Sequence, residues 1–328
     1  MITTRTSQYE VDIYVLLVDI GISAHAVDGT QTTVLFKTEN FQRTGSFKIR
    51  GAMAKLSATT GSETKRKTIT ASSGNHGIGA ACAASTLGRH LTVVLPENVV
   101  QAKLEKIKAY GVKVILHGAE TGLAEKHAQS LASTGEYTYI SPYNDPDVIA
   151  GQGTVGVEIL EKWKNINSND NGTVGEEVVV DNVFVAMGGG GLINGIGSVM
   201  RGLSPSTKMY GVSAVNSEAL AASMAAGRVV EVEHRETLAD AVAGGIDGDS
   251  ITVPLAREVV DVVVECEEEE IREANRELAF QEGMLVEGAA ALAFAGFRKV
   301  LNETGVKGKT SVLCGGNVDV DVMKNVLV

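Results

Sequence analysis

Four glycines in a row, Gly188 to Gly191, follow the apolar run 178–187 and lead into the amphipathic run 192–201. A buried strand that becomes a helix through residues without side chains reads as a βα loop of a parallel sheet. The order recurs twice. The run 67–71 precedes Ser72-Ser-Gly-Asn-His-Gly77, and 310–313 precedes Cys314-Gly-Gly316. Ligands in such sheets bind at the carboxyl ends of strands, so three loops stand where a ligand would be held.

Periodicity along the chain predicts further strands at 34–37, 91–95, 112–116, 208–212 and 258–264. It predicts helices at 46–56, 77–87, 99–110, 124–133, 153–163 and 267–282, the last opened by an acidic cluster that suits its dipole. Residues 164–177 read as an exposed loop, and 13–20 as a buried strand or helix. The fold class expected is α/β with parallel-type sheets flanked by helices. A chain of 328 residues favours two lobes.

A net charge of −11 argues against nucleic-acid or anionic-membrane partners. No run is long enough to cross a bilayer. Cys82, Cys266 and Cys314 are widely spaced without a CxxC pair, which fits a reducing, cytoplasmic setting.

The glycine loop can aim backbone N–H groups at a phosphate, aided by the helix dipole. The plainer reading is a tight turn. Neither GxGxxG nor the Lys-Ser/Thr of a nucleotide loop is present. Lys48 opens a helix beside Phe47, an apolar wall that favours the neutral amine and so capture of an aldehyde; a surface charge is the ordinary alternative. Ser72, Ser73, Gly74, Asn75 and His76 can wrap a carboxylate, and Asn75 can donate to a phenolic oxygen, although the same residues serve as a helix cap. His76 is a candidate general base. No ligand partner lies at metal spacing near it. Cys314 is a small buried hydrophobe or a cofactor contact.

The run Phe36-Lys-Thr-Glu-Asn-Phe-Gln-Arg-Thr-Gly-Ser-Phe-Lys-Ile-Arg-Gly-Ala52 resembles the cofactor-lysine segment of the serine/threonine dehydratase and serine racemase family. These are tryptophan-synthase-β-like enzymes that use pyridoxal 5'-phosphate (PLP). Ser72-Ser-Gly-Asn-His76, Gly151-Gln-Gly-Thr154, Gly188-Gly-Gly-Gly-Leu192 and Cys314-Gly-Gly-Asn-Val-Asp319 match in the same order. The resemblance implies a homodimer with two lobes per chain. Residues 1–66 and 145–328 would form the large cofactor-binding domain, and 67–144 a small mobile one.

Lys48 looks like the Schiff-base lysine and general base, with Phe47 lining the cofactor ring. Asn75 would hold the ring hydroxyl. Gly188, Gly189, Gly190, Gly191 and Leu192 would hold the phosphate. Cys314 stands where the family has Ser or Thr facing the pyridine nitrogen. Ser72, Ser73, Gly74, Asn75 and His76 would meet a small amino-acid substrate, and Ser73 lies where racemases carry a second acid/base. The implied activity is dehydration of a β-hydroxy amino acid, such as L-threonine or L-serine, to a 2-oxo acid and ammonia. Rivals are a racemase, a β-replacement synthase, a silent PLP-binding protein and, outside PLP chemistry, a nicotinamide oxidoreductase.

The chain departs from the family pattern in four places. The Thr-Pro-Leu element before the first strand is missing. No regulatory domain follows the last motif, so feedback control by isoleucine is not expected. Ser213 replaces the metal-ligand Glu in Gly211-Val-Ser-Ala214, so no divalent metal is expected there, although Glu218 lies nearby in sequence. Thr237-Leu-Ala-Asp-Ala-Val-Ala-Gly-Gly-Ile246 and Val286-Glu-Gly-Ala289 resemble dehydratase-like members used in hydroxyectoine breakdown, which leaves larger hydroxy amino acids (hydroxyaspartate, phenylserine) open.

Overall fold

The computed structural model describes residues 17–25, 31–58, 66–170, 180–304, 309–313, 315–318 and 320–327. The elements begin with β1 (Leu17–His25), β2 (Gln31–Thr38), α1 (Lys48–Ala58), β3 (Lys67–Ala71), α2 (Asn75–Thr86), β4 (Leu91–Leu95) and α3 (Gln101–Lys108). Then follow β5 (Lys113–Leu116), α4 (Thr121–Ser133), β6 (Tyr137–Tyr139), α5 (Pro146–Asp170), β7 (Asn182–Ala186), α6 (Gly191–Leu203) and β8 (Lys208–Ala214). The rest are α7 (Ala219–Ala226), α8 (Thr252–Val259), β9 (Val262–Cys266), α9 (Glu268–Phe280), α10 (Gly288–Thr304), β10 (Lys309–Leu313) and α11 (Val320–Leu327).

Two sheets result. One has the order β1-β2-β10-β7-β8-β9 and the other β5-β4-β3-β6. All pairings are parallel except β1 with β2. The expected α/β class is what the chain adopts. Continuous burial of β4 and β7 follows from helices covering both sheet faces. Because β10 lies between β2 and β7, the loops after β2, β7 and β10 open at one end of the large sheet.

The large-sheet core is aromatic at its centre. Phe294 of α10 meets Phe36 edge-on at 5.2 Å, and Phe184 stacks on Tyr210 at 4.3 Å. The core of the smaller sheet takes in Ile49, Met53 and Leu56 of α1 and Val148 of α5 together with α2 and β4. Helix α1 thus packs into the smaller sheet's core, while Phe47 just before it belongs to the large-sheet core. Gly79 permits this: a Cβ there would stand 2.9 Å from the Ile49 nitrogen and 3.0 Å from the Lys48 carbonyl carbon.

Most differences from expectation lie at helix ends. Residues 164–170 continue α5, where an exposed loop was expected, because extending a formed helix costs little. Residues 258–259 close α8 instead of opening a strand; Val253, Ala256 and Val259 are buried at helical spacing. The expected helix at 267–282 spans Glu268–Phe280, with Glu267 and Glu270 forming a capping box. Helix α10 has no counterpart among the expectations. It is apolar nearly all round, so no amphipathic period marks it. Of the run 13–20, the part from Leu17 is strand and 13–16 lie outside the described residues. Cys82 and Cys266 are free, buried thiols, and Cys314 lies outside the described residues. Among the described residues no helix is long and apolar enough to cross a membrane.

Candidate active site

Lys48 is the first residue of α1. The chain reaches it through Gly45, whose φ of 74° lies in the left-handed region. Ser46 bridges to Gly315, and Gly316 N–H donates to the Gly45 carbonyl at 2.8 Å, so the approach to Lys48 is tied to the loop after β10. The Lys48 Nζ donates to the Pro142 carbonyl at 2.9 Å and stands 5.2 Å from the centre of the Phe47 ring. The lysine therefore points inward, beside the apolar wall expected of Phe47.

The next residue after Pro142 reaches the glycine loop. A Cβ on Gly189 would collide with the Tyr143 ring, and one on Gly191 would sit 3.0 Å from the Tyr143 Cα. Gly190 has φ of 91° and lies against Thr252, while Gly188 lies against Val242. The tight packing accounts for the absence of side chains. It also leaves backbone at the start of α6, where first-turn N–H groups have no intrahelical acceptor and face the positive end of the dipole. The loop is thus a forced turn, and its free N–H groups suit an anion.

The loop after β3 is half-buried from Ser72 to Asn75. Ser72 Oγ accepts from Gly74 N–H at 3.2 Å, and a Cβ on Gly77 would collide with the Ser72 carbonyl. No described residue takes a hydrogen bond from the Ser73 hydroxyl. His76 differs from expectation. Its imidazole is buried, with Nε2 at 2.9 Å from Thr70 Oγ1 and 3.2 Å from the Ile140 carbonyl. Thr70 itself donates to Ile140, so Nε2 carries the proton. Burial first, then the Lys48 charge, pushes the imidazole down to about 3. The ring is a neutral strut between β3 and the segment after β6, not a base.

Sequence reasoning missed a chain of amides and a carboxyl beside Lys48. Asn75 Nδ2 donates to both Glu287 oxygens, at 2.8 and 3.0 Å. Asn317 Nδ2 donates to Asn75 Oδ1 at 2.7 Å and to the Thr44 carbonyl at 2.8 Å. Burial first, and then Asp240, outweigh Asn75, Lys48 and Lys103 and push the Glu287 carboxyl up to about 7. Glu287 was visible only as part of Val286-Glu-Gly-Ala289.

Residues 22–315 match the family model described as pyridoxal-phosphate dependent enzyme. The chain belongs to this family. An L-threonine ammonia-lyase of Thermotoga maritima is 38% identical over 296 residues, 90% of this chain and 69% of that protein. The processed form of threonine deaminase isoform 2 from Solanum lycopersicum superposes with a TM-score of 0.82 at 30% identity, covering 90% of this chain and 78% of that one. Maize serine racemase follows at 0.78 and 28%, covering 90% and 86%.

In this PLP enzyme the residues present fit the cofactor. An inward lysine, a glycine turn that opens α6 with its first-turn N–H groups, and a polar amide lie near one another at the strand ends.

Proposed function

We propose that this PLP enzyme is an ammonia-lyase that converts a small β-hydroxy amino acid, such as L-threonine or L-serine, to a 2-oxo acid and ammonia. One observation carries the reading: residues Pro142 and Tyr143 bring the Lys48 amine and the glycine loop to one place. The likeness to threonine ammonia-lyase and threonine deaminase supports the reaction type.

Gly188, Gly189, Gly190, Gly191 and Leu192 would hold the cofactor phosphate, Phe47 would line the ring and Asn75 would hold its oxygen. The cofactor, when bound, supplies the aldehyde that captures the substrate amine and the electron sink that acidifies the α-carbon. Lys48 takes the α-proton at Nζ, and the Pro142 carbonyl orients that amine. Backbone N–H groups and hydroxyls of residues 72–76 hold the substrate carboxylate. His76 contributes through its backbone, since its ring faces Thr70.

The reading includes a small lobe, 67–144, that closes to exclude water. The separate sheet of β3 to β6 supports that division. It also includes a homodimer, from family likeness, and a cytoplasmic setting, which suits the free thiols Cys82 and Cys266.

Purified protein is expected to show visible cofactor absorbance that borohydride bleaches. In a panel of L-threonine, L-serine, 3-hydroxyaspartate and phenylserine, 2-oxo acid should appear from at least one. Absorbance without any 2-oxo acid would replace the lyase with a silent binder; no absorbance would remove the cofactor.

A racemase is the second reading, favoured by the Ser73 hydroxyl, which no described residue engages. A hydroxyl can return a proton to the far face of the carbanion, whereas a methyl cannot. Slow formation of the D-isomer is expected beside elimination. In Ser73→Ala the inversion should vanish while elimination persists. Parallel loss of both, measured by chiral chromatography and 2-oxo acid release, would make Ser73 structural.

A further inference from the structure

Glu287 precedes α10, and its carbonyl accepts from Ala290 and Ala291. The residue is only 7% exposed, and its carboxyl has no task in the chemistry above. What it touches is specific. Both oxygens face Asn75 Nδ2, and its backbone N–H donates to the Gly315 carbonyl at 3.1 Å. Gly315 can hold no side chain, because a Cβ there would collide with the Glu287 carboxyl.

The orientation of Asn75 follows from hydrogen-bond bookkeeping. The Thr44 carbonyl can only accept, so the Asn317 amide must turn its NH₂ toward Thr44. The same NH₂ then meets Asn75, which must present Oδ1 to it. That leaves the Asn75 NH₂ facing Glu287. Three loops thus fix one carboxamide, and the carboxyl lies at its donating end.

We propose that Glu287 is the positioning residue for Asn75: it holds one N–H of that amide, directs the other at the cofactor's ring oxygen, and couples its own protonation to that oxygen. The inference rests on the cofactor reading given above. The groups that set the Glu287 charge come from every side. Lys48 of α1 and Lys103 of α3 favour the anion, as does the Asn75 hydrogen bond, while burial and Asp240 favour the neutral acid. The balance places its titration at about 7. An anion behind the amide disfavours a second negative charge on the ring oxygen, so the two sites titrate together.

The test is a titration of visible absorbance of the holoenzyme over about pH 5 to 9. The wild type should show a step centred near about 7. Glu287→Gln should lack it, and Glu287→Asp, which withdraws the charge by one methylene, should keep a smaller one. In an Asn75→Ala background, Glu287→Gln should add no further change, because the effect passes through Asn75. An identical step in wild type and Glu287→Gln would overturn the proposal. Should that variant not fold, a Glu287→Asp step as large as the wild type's would do so.

Stability supplies a readout that does not need the cofactor. The folded carboxyl lies above its ordinary value, so its contribution is present at low pH and lost as pH rises toward and through about 7. The urea midpoint of the full-length wild type should fall over that window relative to Glu287→Gln. Parallel curves would overturn the coupling. Absent visible absorbance in the wild type would instead refute the cofactor reading, and the urea comparison would still decide whether Glu287 titrates.

Discussion

Lys48→Ala should remove covalent cofactor attachment and lower turnover by more than about 10³-fold, the upper range for loss of a positioned general base. Neither His76 nor Lys37 offers a replacement amine or imidazole. The His76 imidazole is pushed down to about 3, and its Nε2 hydrogen is spent on Thr70 and Ile140. The other amine on the neighbouring strand, Lys37, is held by Glu39 at 2.7 Å and Glu158 at 2.9 Å. Residual cofactor should still bind through the glycine loop, so the variant should bind PLP yet resist borohydride fixation. Mass spectrometry after borohydride treatment reads this directly: a cofactor adduct on the alanine variant, or turnover within tenfold of wild type, would sink the assignment.

The second large effect is on folding. Lys37, Glu39, Arg50 and Glu158 form a buried ionic cluster two residues from Lys48. Arg50 Nη2 meets Glu39 at 2.8 Å, and its Nη1 donates to Thr154 Oγ1 at 3.0 Å. Lys37 and Glu39 are fully buried and Arg50 nearly so. Burial alone would raise the Glu39 carboxyl, but Arg50 and Lys37 overcome it and hold it below its ordinary value. Glu39→Gln keeps the shape and leaves two buried cations with one fewer anion. Breaking a buried pair on one side costs about 3–5 kcal/mol, and urea denaturation at neutral pH should show a loss of that size. Because the folded carboxyl is depressed, its contribution is present above the ordinary value of 4.5 and lost as pH falls through the lower folded value. The variant should therefore lack part of the wild type's acid sensitivity. A loss below about 1 kcal/mol, the scale of an exposed pair, would show that the cluster is better solvated than the structure indicates.

This cluster also shows why two of the motifs match together. Lys37, Glu39 and Arg50 belong to the lysine segment, and Thr154 and Glu158 lie in or just beyond Gly151-Gln-Gly-Thr154. No local pattern singles out the first group, which is spread over a strand, a turn and a helix. Only when α5 lies along α1 do they meet, and Gly51 and Gly151 permit that approach: a Cβ on either would collide with the opposite helix.

Local pattern was sufficient where the physics is local. Strands 67–71 and 91–95 were legible residue for residue: the second is a nearly continuous apolar run, as covered parallel strands are, and the first is rich in β-branched residues and ends at a Ser-Gly loop. The helix expected from 46, which begins at Lys48, and the tight turn through Gly188 to Gly191 follow from helix and glycine chemistry within a few residues. The family, and hence the cofactor, was legible because five short motifs kept their order. What pattern could not show is set by contacts across long separations. Lys48 finds its carbonyl 94 residues away, Asn75 finds Glu287 at 212 and Asn317 at 242. The His76 ring turns from the cleft because Thr70 and Ile140 are brought together by strand pairing. A side chain's type limits the chemistry it can do, but its partners, charge state and direction are fixed only when distant strands and helices close around it.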